Sequence, residues 1–194
     1  MFFKFKRSGL ESTEGLSGPL LIIANHKFFL DSFAMGAALP INSKILPIRF
    51  MGETKHFFNV VLNLLLKIGL IQLVYKIFGV FPVVRGQGLE IALRIPKKII
   101  EDGGVVLMHP EGRVVHEEGV AEFKRGAPAL CLTTKARVLP VAFKLCRRDK
   151  VWRKRYYVKF GEVFALPEHI VTPEQGAEYM KNIIEKLYAT LPAI

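Results

Sequence analysis

Two cysteines among 194 residues, Cys131 and Cys146, show no C-x-x-C spacing and supply no disulfide framework. They read as core thiols of a reducing compartment. Serine is equally thin: Ser8, Ser12, Ser17, Ser32 and Ser43 all precede residue 44, and no G-x-S-x-G occurs. A serine hydrolase built on a nucleophile elbow is thereby excluded. There is no H-E-x-x-H and no Cys/His cluster at metal-ligand spacing. A zinc site from His109, Glu111 and His116 is set aside on that ground, and no metal or cofactor is expected. The opening MFFKFKRSGL lacks the apolar core of about 7 to 15 residues that a secretory signal needs. The most apolar stretch, 56–78, is interrupted by Lys67 and Lys76 before about 20 uncharged residues accumulate, so a clean membrane span is disfavoured. Internal repeats, low-complexity runs and linkers are also missing, which leaves one domain over 1–194.

Acidic residues are scarce relative to basic ones, 17 against 28, for a formal net charge of +11. The isoelectric point near 9.8 implies a surface that attracts phosphates, anionic lipid or an acidic carrier protein at neutral pH. Hydrophobic residues make up 51% and charged ones 23%, with mean hydropathy +0.28. That combination points to a globular protein that touches lipid.

Short apolar runs at 19–24, 44–50, 79–84, 105–108, 138–143 and 155–163 read as strands, several of them fully buried. Helical spacing occupies 31–39, 88–101, 127–135 and 173–191, and Pro96 is expected to kink or shorten the second of these. Strands alternating with helices predict an α/β fold, a single-domain layered sheet flanked by helices, with functional residues in loops at strand ends. In 56–78, Asn59, Asn63 and Lys67 stack at i, i+4 and i+8 as a polar stripe among Phe, Leu, Val and Ile. This is the profile of a helix lying in a membrane interface. Between residues 144 and 159 stand Lys144, Arg147, Arg148, Lys150, Arg153, Lys154, Arg155 and Lys159 against Asp149 alone, interleaved with Trp152, Tyr156 and Tyr157. Such a segment suits an anionic phospholipid surface.

Three strand ends carry groups able to do chemistry. Asn25-His26-Lys27-Phe28-Phe29-Leu30-Asp31 follows the run 19–24 and precedes a helix, so a turn folds Asp31 back toward His26. A carboxylate on one imidazole nitrogen sets the tautomer and stabilises the imidazolium formed when the other nitrogen takes a proton. His109-Pro110-Glu111-Gly112-Arg113 follows 104–108, and Arg85 closes Val80-Phe81-Pro82-Val83-Val84. Arginine forks suit phosphate or carboxylate. A general base with two arginines suggests a phosphorylated substrate.

Taken together, four blocks in order make the chain resemble the glycerolipid acyltransferase family that includes 1-acylglycerol-3-phosphate acyltransferases. They are N-H-x-x-x-x-D (25–31), F-P-V-x-R (81–85), P-E-G-R (110–113) with Phe123-Lys124-Arg125-Gly126, and L-P-V (139–141). The resemblance implies transfer of a fatty acyl group from acyl-CoA or acyl carrier protein, used as a co-substrate, to a hydroxyl of a lysophospholipid in phospholipid biosynthesis. It implies His26 and Asp31 as the catalytic pair, and Arg85, Glu111, Gly112 and Arg113 around the acceptor's phosphate or polar head. Asn25 counts with them as substrate-binding, and Pro140 would shape the wall of the site. Relatives often carry Thr or Ser in the third block, where this chain has Arg113 directly after Gly112 and then Val114. Membrane attachment would rest on 56–78 and the basic segment, placing the protein on the inner, cytoplasmic face of a membrane.

Two other readings use the same residues. A thioesterase would run His26 on water in place of an acceptor. A basic lipid- or nucleic-acid-binding module explains the charge between 144 and 159 but leaves the strand-end motifs without a role, so nucleic acid is not an expected partner.

Overall fold

In the computed structural model, which describes residues 2–52, 64, 67–82, 88–146 and 153–192, a seven-stranded sheet carries helices on both faces. The strands are β1 (Phe2–Ser8), β2 (Leu20–Ala24), β3 (Ile48–Gly52), β4 (Val80–Pro82), β5 (Val105–Met108), β6 (Arg137–Cys146) and β7 (Arg153–Phe160). The helices are α1 (Asp31–Ala38), α2 (Leu70–Phe78), α3 (Leu89–Glu101), α4 (Gly126–Thr134) and α5 (Pro173–Ala189), with a 3-10 turn at Leu10–Thr13. Sheet order is β1-β7-β6-β2-β5-β3-β4. The run from β6 to β4 is parallel; β7 pairs antiparallel with β6, and β1 lies parallel to β7.

Period-2 alternation explains how so apolar a strand as β2 finds partners on both sides. Leu20, Ile22 and Ala24 face Met35 and Ala38 of α1, while Leu21 and Ile23 face Leu93 and Ile100 of α3, Leu130 of α4 and Met180 and Ile184 of α5. All five β2 residues are buried, as expected of a parallel strand covered above and below. Helix α5 opens on a complete capping box: the Thr172 hydroxyl accepts from the Gln175 N–H, Gln175 Oε1 accepts from the Thr172 N–H, and Pro173 occupies the first turn.

The α/β fold expected from the alternation of elements is the fold observed. Three details differ from expectation. Helix α3 runs through Pro96 for all 13 residues, with Pro96 buried; packing against the sheet holds it across the missing N–H. The opening segment forms an edge strand, β1. Within 56–78 the described portion is broken at Gly69, whose left-handed backbone (φ 79°) lets α2 start at Leu70; Asn59 and Asn63 lie outside the described residues. On α2, Leu70, Leu73 and Ile77 share one face by their i, i+3, i+7 spacing and are exposed. Among the described residues no helix is long and apolar enough to cross a membrane.

Candidate active site

Where β2 ends, the chain turns through residues 25–30 before α1 begins at Asp31, and this turn carries the dyad. The Asp31 carboxylate is fully buried and fully used. Its Oδ2 accepts from the Lys27 N–H at 2.6 Å, the Phe28 N–H at 3.0 Å and His26 Nδ1 at 2.9 Å. The other oxygen, Oδ1, accepts from the Tyr156 hydroxyl of β7. Burial pushes the Tyr156 phenol far above its ordinary range, and the neighbouring Asp31 charge adds to that; Tyr156 therefore acts only as a donor. With the Nδ1 proton committed to Asp31, the His26 lone pair lies at Nε2, which bonds to no described residue. The ring is 18% exposed, so Nε2 can meet a substrate.

Glu111 braces the same turn from the loop after β5. Its Oε2 accepts from the His26 backbone N–H at 2.6 Å and its Oε1 from the Ala121 N–H at 2.8 Å, and the side chain is buried. Burial raises its carboxyl above the usual range, against the pull of those two donors. The His26 carbonyl in turn accepts from the Val115 N–H at 2.7 Å, and Lys27 Nζ donates to the Glu117 carbonyl at 2.6 Å. The loop is thus tied to both backbone sides of the base. Lys27 is buried and burial pulls its ammonium below the usual lysine value.

His109, at the end of β5, stacks on His26 with ring centroids 4.1 Å apart and planes 11° from parallel. Its Nδ1 lies 3.1 Å from the carbonyl oxygens of both Ala24 and Asn25. Carbonyls only accept, so Nδ1 carries the proton and Nε2 accepts from the Ser32 hydroxyl at 3.1 Å. Burial lowers its pKa from 6.5 to about 4, with the adjacent His26 contributing. The ligand atoms of His26, Asp31 and His109 lie within 4.8 Å of one another, and the bonds just described hold them as a proton-handling set. The lowered pKa carries a prediction. Because the folded value lies below the unfolded one, His109 favours the folded state at neutral pH, and that contribution is lost as pH falls from about 6.5 to 4. Urea titrations at pH 7 and pH 4.5 should show the parent losing up to about 3 kcal/mol more than His109→Phe.

The remaining motif residues separate into those brought to the dyad and those held elsewhere. Asn25 is fully buried, and its amide exchanges two bonds with the Phe143 backbone, Nδ2 to O at 2.9 Å and N to Oδ1 at 2.7 Å. The amide thus pins the end of β2 to β6. Gly112 has φ 67°, a left-handed backbone that favours glycine at this turn. Arg113 follows it on the surface, with no hydrogen bond or ion pair among the described residues. Pro140 is buried within β6, its ring against Gly161 on the α5 side of the sheet, away from His26. Arg85 lies outside the described residues. Tyr156 and Tyr157 are buried in β7, and Lys144 is buried in an ion pair with Glu118 at 2.8 Å.

Beside the dyad, Phe5, Phe28, Leu30, Phe33, Ala34, Ala37 and Tyr156 line an open apolar hollow of about 260 Å³.

A family profile described as Acyltransferase matches residues 4–144, most of the chain. The chain belongs to the acyltransferase family. Among solved structures, this acyltransferase is similar to the crystal structure of the 1-acyl-sn-glycerophosphate (LPA) acyltransferase PlsC from Thermotoga maritima. The TM-score is 0.72 at 18% identity, over 100% of this chain and 74% of that one. At that identity the likeness establishes the fold. A comparison with curated proteins found no match.

Two residues of the candidate site are not singled out for it by the sequence. The sequence offers His109 only as a zinc ligand and Tyr156 only as an interfacial aromatic. For Tyr156 the available signal is strand alternation, which points it to the same face as Val158 and Phe160.

Proposed function

We propose that the protein transfers a fatty acyl group from an acyl thioester, acyl-CoA or acyl carrier protein, to a hydroxyl of a lysophospholipid such as 1-acylglycerol-3-phosphate. The observation that carries this reading is the orientation of His26: Nδ1 is bound by a buried carboxylate, Nε2 bonds to no described residue, and the side chain is partly exposed. His26 Nε2 takes the proton of the acceptor hydroxyl as its oxygen attacks the thioester carbonyl. The tetrahedral intermediate then expels the thiolate, which recovers that proton from the imidazolium. No acyl-enzyme is needed.

The choice of substrates is supported by shape and charge. The apolar hollow next to Phe28 and Tyr156 suits part of an acyl chain. Arg113, exposed beside Gly112 and with no hydrogen bond or ion pair among the described residues, suits the acceptor's phosphate, with Arg85 of the F-P-V-x-R block as its companion. The net charge of +11 favours an anionic donor and an anionic surface alike. Exposed Phe29, Leu30, Leu73, Ile77 and Phe78 would dip into lipid, holding the enzyme peripherally on the inner, cytoplasmic face of a membrane.

The deciding assay is release of free thiol from a panel of acyl-CoAs, with and without lysophosphatidic acid. Acceptor-dependent release supports the transferase, and release without acceptor would make the protein a thioesterase. Replacing Arg113 with Ala should raise the acceptor's KM about 10- to 100-fold, the worth of a charged hydrogen bond, and leave the donor's KM nearly unchanged. Equal effects on both substrates would remove Arg113 from the acceptor site.

A further inference from the structure

The histidine stacked on the base has no part in the scheme above, although it is the nearest aromatic ring to it. Its surroundings exclude a second base. His109 Nδ1 is committed to two carbonyls and Nε2 to the Ser32 hydroxyl, so no lone pair is left for a substrate. It cannot serve Ser32 as an activating base either, because a ring with pKa about 4 is too weakly basic at neutral pH. What the ring does offer is its face, 4.1 Å from His26 and nearly parallel to it.

We propose that His109 is a positioning residue for the acyl transfer described above, a neutral imidazole whose π face steadies the His26 ring and stabilises the imidazolium formed when His26 takes the acceptor's proton. The idea rests on that reading of the site for its kinetic consequence, but the ring pair itself is a property of the resting protein. The geometry meets the requirements in turn. A neutral ring is needed, because a second cation 4.1 Å away would oppose the charge developing on His26. Fixed acceptors at Nδ1 keep the proton there, and a fixed donor at Nε2 opposes protonation. A cation held over an aromatic face within about 6 Å is stabilised by the ring's electrons, more so when shielded from water.

Other groups also face this pair. Asp31 from α1 meets His26 Nδ1, with Tyr156 from β7 behind it, and Glu111 from the loop after β5 holds the His26 N–H. Lys27 follows in the chain with its ammonium directed to Glu117, and Phe143 of β6 tilts against His109 at 6.2 Å. Replacing His109 removes its ring face together with its bonds to Ala24, Asn25 and Ser32, so the two must be separated.

Two complementary variants test the proposal. His109→Gln can still donate to the Ala24 and Asn25 carbonyls but has no ring face; His109→Phe has the face and none of the hydrogen bonds. In His109→Gln, kcat should fall about tenfold with both KM values within about twofold of the parent. By NMR, the His26 ring protons should titrate at lower pH than in the parent. His109→Phe should recover most of the rate and bring the titration back toward the parent's. Superimposable His26 titrations in the parent and His109→Gln, or a loss in His109→Phe equal to that in His109→Gln, would overturn the proposal. The titration needs no substrate, so it decides the matter even if the protein proves not to transfer acyl groups to a lysophospholipid.

Discussion

Acceptor-dependent thiol release should fall by about 10²- to 10⁴-fold in His26→Ala, the range a positioned general base supplies. The fold should survive the change. The imidazole is partly exposed, and the bonds that secure the turn use backbone atoms: the His26 N–H to Glu111 and its carbonyl from Val115. Asp31 keeps three donors, from Lys27, Phe28 and Tyr156, when the ring is removed. The urea midpoint should therefore move by less than about 1 kcal/mol of equivalent stability. Normal turnover by a folded His26→Ala protein would refute the base mechanism outright.

Asn25→Ala is expected to do the opposite, costing stability more than specificity. Both polar atoms of the fully buried amide are bound to the Phe143 backbone, so truncation strands an N–H and a carbonyl between β2 and β6. At about 1 to 3 kcal/mol for each buried group left unpaired, the loss is roughly 2 to 6 kcal/mol. That is a large share of the stability of a domain this size. Chemical denaturation measures it directly, and in the folded fraction the acceptor's KM should stay near the parent value. An unchanged denaturation midpoint with a raised acceptor KM would instead make Asn25 a substrate contact, the role the family resemblance implies.

The α/β architecture was legible because two of the central strands are short apolar runs ended by motif residues: β2 by Asn25 and His26, β5 by His109. Such runs register because a parallel strand is buried on both faces. Edge strand β1 was not read from the sequence although Phe3 and Phe5 alternate with Lys4 and Lys6, because it forms by pairing with β7, some 150 residues onward. The persistence of α3 through Pro96 was also beyond reach, because local propensity predicts a break that tertiary packing overrides.

In the site, the sequence by itself determined the dyad: six residues between a strand end and a helix start bring His26 and Asp31 together through local chain geometry. It also placed Glu111, Gly112 and Arg113 at a second strand end. Only the tertiary structure decided what each of these does. Glu111 meets the backbone of a residue 85 positions earlier, Asn25 meets one 118 positions later, and Tyr156 reaches Asp31 across 125. Motif spacing constrains neighbours along the chain, whereas hydrogen-bond roles follow from which strands lie side by side. The order β6-β2-β5 is what sets Asn25, His26 and His109 against one another.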